Sequence, residues 1–109
     1  MSGYNYACVA VTTTSASAAT VTASITGVAG KQIQVVGFDG SSSDQAVKVT
    51  LDFGGTVQST MHGSLGLPIG RYFGVENGPI AANGVTVNVI TTPAATGQGD
   101  ANLYYRFVN

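Results

Sequence analysis

An all-β antiparallel sandwich of about eight strands with negligible helix is the fold class this chain predicts, on three observations. Apolar and polar residues alternate in short segments, turn-forming residues recur between those segments, and no window carries an apolar 3.6-residue period with caps. Fifteen glycines in 109 residues punctuate the strands. A jelly roll is the expected version of the sandwich.

The N-terminal segment "YNYACVAVTT" alternates poorly, and "TTTSASAAT", Thr12 to Thr20, is small and polar. Residues 1–18 therefore read as a strand or arm with a Ser/Ala/Thr linker, and 19–109 as the sandwich domain. In "ATVTASIT", Ala19, Val21, Ala23 and Ile25 are apolar while Thr20, Thr22, Ser24 and Thr26 are polar, the pattern of a half-buried strand. "KQIQVVGF" follows with Ile33 and Val35, and "AVKVTLDF" sets Val47, Val49, Leu51 and Phe53 against Lys48, Thr50 and Asp52. "TVQSTM" around Val57 and "GRYFGV" around Phe73 are weaker strands. "GVTVNVIT" turns Val85, Val87 and Val89 inward, and "LYYRFV" does so with Leu103, Tyr105 and Phe107. Turn signals lie between them at Gly27 to Gly30, "DGSSSD", Gly54-Gly55, "GSLGLPIG", Asn77-Gly78-Pro79, Asn83-Gly84 and "TPAATGQGD".

Composition narrows the function. Hydrophobic residues make up 44% and charged residues only 8%, so the surface is covered by Ser, Thr, Asn, Gln and Gly. Lys31, Lys48, Arg71 and Arg106 are scattered, which argues against nucleic acid as a partner. A single Cys8 permits no intramolecular disulfide, and the start "MSGYNYACVAV" lacks a signal-peptide pattern, so cytoplasmic synthesis is expected. No apolar run approaches the ~20 residues of a membrane span.

Catalysis would have to use His62 with Ser59, Ser64 or Thr60 and with Asp52 as orienter, and their nearness in sequence supplies no oxyanion hole; the chain reads as a non-enzyme. Asp39, Ser41, Ser43 and Asp44 in "DGSSSD" could face a calcium ion, but two acids are too few for such a loop, and no metal or other cofactor is expected. Tyr4, Tyr6, Tyr72, Tyr104 and Tyr105, with Phe38 and Phe73, raise a sugar-binding alternative, since exposed rings stack on sugars.

"TVTASITGVAGKQIQVVGFDGSSS", "VKVTLDFGGT", "GPIAANG" and the closing "NLYYRFV" together resemble the small β-sandwich decoration, or cement, proteins of tailed bacteriophage heads, over residues 19 to 108. The resemblance implies a structural virion protein, made in the host cytoplasm and carried on the outer surface of the capsid. It implies a trimer or other small oligomer that bridges coat subunits, with the major capsid protein as partner. A carbohydrate- or receptor-binding module of a phage fibre or tail is the alternative. Two groups of residues are candidate interfaces: Tyr4, Tyr6, Val9 and Val11 on the N-terminal arm, and Val36, Phe38, Ile90, Tyr104 and Val108 on strand faces assigned away from the core.

Overall fold

The computed structural model describes residues 10–17, 20–43, 46–64, 68–93 and 98–108. Eight strands run through them: β1 (Ala10–Ser17), β2 (Val21–Ile25), β3 (Gln32–Ser42), β4 (Ala46–Phe53), β5 (Thr56–Ser64), β6 (Ile69–Tyr72), β7 (Val87–Pro93) and β8 (Gln98–Val108). They form two four-stranded sheets, sheet A in the order β1-β8-β3-β6 and sheet B in the order β2-β7-β4-β5. Every pairing is antiparallel. β1 pairs β8, β2 pairs β7, β3 pairs β6 and β4 pairs β5, as in one long two-stranded ribbon. Lateral pairing of β3 with β8 and of β4 with β7 wraps that ribbon into two layers, which is the jelly roll.

The alternating segments become strands because one face of each can be buried. Val21 and Ala23, Ile33 and Val35, Val47, Val49 and Leu51, Val87 and Val89, and Ala101 and Leu103 meet in one cluster between the sheets, with Ile25, Phe53, Val85, Tyr105 and Phe107 packed on its margin. Side chains of this size each contribute about 1.5–3 kcal/mol when buried. The β4–β5 hairpin closes through Gly54 and Gly55, with φ of 59° and 94°, the two successive positive values of a type I′ turn that matches strand twist.

Three expectations change. Val36 and Phe38 were assigned to the outer face and are in fact buried, at 0% and 1% exposure. A bulge between Val35 and Gly37 inserts Val36 as an extra residue, which shifts the parity of β3 so that Phe38 points into the core. The stretch expected to be a linker is, through Ser17, part of β1, paired with β8 of the same chain from Ala10↔Tyr105 to Ser17↔Gln98. "DGSSSD", expected as a loop, supplies Asp39 to Ser42 as the end of β3.

The segment after β6 continues along β3 without forming a strand of its own. Phe73 N donates to Val36 O, Val35 N to Pro79 O, Ala81 N to Ile33 O and Gly84 N to Lys31 O, all at 2.8–3.0 Å. Gly78 is required by this approach, because a Cβ there would overlap the Val35 carbonyl oxygen. The turn before β3 is tied to the same segment, since Gly30 N donates to Asn83 Oδ1 at 2.8 Å and Gly27 N to Thr86 Oγ1 at 2.9 Å. The "GVAGK" and "GPIAANG" stretches, 50 residues apart in sequence, thus brace each other.

Candidate functional site

The outer face of sheet A carries a cleft of about 240 Å³, lined by Asp39, Pro68, Gly70, Arg71, Tyr72 and Tyr104 among others. Register places it. Gly37 of β3 stands opposite both Tyr104 of β8 and Tyr72 of β6, so two tyrosines flank a glycine, their Cα atoms about 10 Å apart by strand spacing. A Cβ at Gly37 would meet the Tyr72 ring at 2.9 Å, which shows the ring leaning across the glycine. Tyr72 is nevertheless 71% exposed. In the next row Asn102 and Asp39 are opposite, and Asn102 Nδ2 donates to Asp39 Oδ1 at 2.6 Å.

Tyr104 and Asp39 both line the cleft. Burial first, then the Asp39 carboxylate as a nearby charge and as an acceptor for the phenol proton, push the Tyr104 phenol above the ordinary value of 10.0, since each opposes the phenolate. Further along the sheet, Arg106 Nε donates to Gln34 Oε1 at 2.7 Å and Gln34 Nε2 to Gly78 O at 3.1 Å, so the buried Gln34 amide is satisfied at both ends.

The outer face of sheet B is different. Ser24 Oγ donates to Asn88 Oδ1 and Asn88 Nδ2 to Asp52 Oδ1, each at 2.7 Å, a row bonded across β2, β7 and β4. Beside it run Thr22, Ile90, Thr50 and Thr60, with the two hydroxyls of Thr50 and Thr60 3.4 Å apart. Lys48 and His62 face each other in the row beyond, and Val57 stands 59% exposed.

The nucleophile, histidine and carboxylate considered from sequence are not brought together. Asp52 is paired with Val57 and His62 with Lys48, and these two rows are four residues apart along β4, or about 13 Å. Ser59 pairs with Leu51 on the inward side. No group of three His, Cys, Asp or Glu that could hold a metal occurs among the described residues; Ser41 Oγ instead donates to Asp100 at 3.4 Å.

Of the candidate interface residues, Tyr4, Tyr6 and Val9 lie outside the described residues, and Val11 falls in β1 opposite Tyr104. Ile90 is half-buried on sheet B's outer face, whereas Tyr104 and Val108 are half-buried on sheet A's. Val36 and Phe38 leave the set. Sequence reasoning counted Tyr72 and Tyr104 among possible sugar-stacking rings but did not connect them with Gly37 or Asp39. Only the register of three strands does so.

No protein-family model matches the chain, and no curated protein matches it. Among solved structures, the carbohydrate-binding CBM36-1 domain of a multidomain xylanase from the hindgut metagenome of Trinervitermes trinervoides is similar at 20% identity, over 86% of this chain and 73% of that one, with a TM-score of 0.41.

Proposed function

We propose that this chain is a structural, non-enzymatic jelly roll that decorates the outer surface of a phage head as a homotrimer and bridges subunits of the major capsid protein. The sequence resemblance over residues 19 to 108 supports it, and those residues supply β2 to β8. The observation that carries the reading is the outer face of sheet B. Its Ser24, Asn88 and Asp52 side chains already bond one another, which lowers the polar desolvation a partner must overcome in covering them. Covering Val57 and Ile90 adds apolar burial.

Thr22→Arg and Thr60→Arg place charge on that face without touching the core. The wild-type chain is expected to co-sediment with purified heads of the phage that encodes it, and the double variant to lose at least tenfold in occupancy, about 1.4 kcal/mol. Undiminished binding by the variant, or no binding by the wild type, rejects the proposal.

A second reading, a carbohydrate- or receptor-binding sandwich, is favoured by the tyrosine-flanked cleft on the opposite sheet. Screening the chain on a glycan array tests it, and a blank array removes it.

A further inference from the structure

Resting on that second reading, we propose that the sheet A cleft is a subsite for one neutral pyranose ring, stacked on Tyr72, hydrogen-bonded through its hydroxyls to Asp39 and bounded by Tyr104. A pyranose presents an apolar C–H face and a rim of hydroxyl donors. The cleft offers the complement of each. Tyr72 is a large ring at 71% exposure, held above a glycine rather than scattered on an open face.

Asp39 supplies the acceptors. Asn102 occupies one of the roughly four lone-pair positions of its carboxylate and fixes its orientation, which leaves other positions for ligand hydroxyls. A carboxylate on the cleft lining repels a phosphate or a uronate. Arg71, also on the lining, has its guanidinium carbon 5.9 Å from the Phe73 ring, on the parity opposite to Tyr72, so Asp39 sets the sign of the charge in the cleft. The ligand class is therefore neutral and polyhydroxylated.

Size restricts it further. At about 240 Å³ the cleft falls below the ~300–1,000 Å³ of sites for drug-sized ligands, so it takes a single ring. Affinity for one ring should be weak, with a Kd of about 1–10 mM.

Amide chemical shifts of the ¹⁵N-labelled full chain, followed through titration with the methyl glycosides of glucose, galactose, mannose, xylose and N-acetylglucosamine, provide the test. At least one glycoside should shift the amides of Gly37, Asp39, Gly70, Tyr72 and Asn102, and methyl glucuronide and inorganic phosphate should bind at least tenfold more weakly. Tyr72→Ala, at an exposed position, should fold normally and weaken binding tenfold or more, while Val57→Ala on the other sheet should leave it unchanged. Shifts confined to other residues, or a Tyr72→Ala variant of unaltered affinity, would overturn the subsite and leave the broader sugar reading standing. No response to any glycoside at about 50 mM, together with a blank array, overturns both.

Discussion

Leu51 and Thr50 are adjacent on β4 and lie on opposite faces, which makes them a direct probe of the sandwich. Leu51 is fully buried in the core cluster, and Leu51→Ala should cost about 2–5 kcal/mol. Thr50→Ala loses only a 3.4 Å contact with Thr60 and should cost about 1 kcal/mol or less. Urea denaturation of both variants checks the difference, and equal losses would contradict the register of β4. Thr91 offers a test of opposite sign. Its Oγ1 is buried without a hydrogen-bond partner among the described residues, so Thr91→Val should leave stability unchanged or raise it by about 1 kcal/mol. A loss of that size would mean the hydroxyl is bonded.

Tyr104 gives the cleft a pH signature. Its phenol is raised above 10.0 in the folded chain, so between that value and the folded one the native state holds a proton that the unfolded state has released. The stabilisation is complete below pH 10 and disappears as pH rises through the folded value. Urea midpoints measured from pH 9 upward should fall more steeply for the wild type than for Tyr104→Phe, which has no such proton to lose. Parallel curves would show that neither burial nor Asp39 shifts the phenol on folding.

At the scale of the element, β1 is the informative strand. Deleting residues 2–13 removes Ala10 to Thr13, the partners of Tyr105, Tyr104, Leu103 and Asn102. That stretch of β8 then becomes an open edge. The shortened chain should unfold at a lower urea concentration and self-associate in light scattering. A truncated chain of unchanged stability and mass would show that β8 does not depend on this pairing, and would favour β1 as an arm able to pair elsewhere.

For the whole molecule, the proposed homotrimer has a simple measure. Light scattering at tens of micromolar should give three times the chain mass of 11.0 kDa. A mass of one chain removes the trimer. Burial of Val36 and Phe38 leaves Ile90 on one sheet and Tyr104 and Val108 on the other, so these three cannot form a single contiguous patch. A cyclic trimer joins its subunits head to tail through two different patches, so both faces can take part, and substituting Ile90 or Val108 by Lys in turn will show which do.

Alternation alone determined that Val21, Val49, Leu51, Val89 and Leu103 would share a core, because a period of two leaves a strand one face to bury, and the glycine and asparagine turns determined where strands end. The jelly-roll winding agreed with the strand count, although pairing partners lie up to 95 residues apart in sequence, as Ala10 of β1 and Tyr105 of β8 do. Tertiary structure alone decided the rest. One extra residue at Val36 reversed the parity of β3, and a bulge has no signature in an apolar run such as "QVVGF". Thr12 to Ser17 became a strand because β8 offered them an open edge, not because their own pattern demanded it. The cleft joins Tyr72, Gly37 and Tyr104 from three strands, a relation between registers that no single stretch of sequence contains.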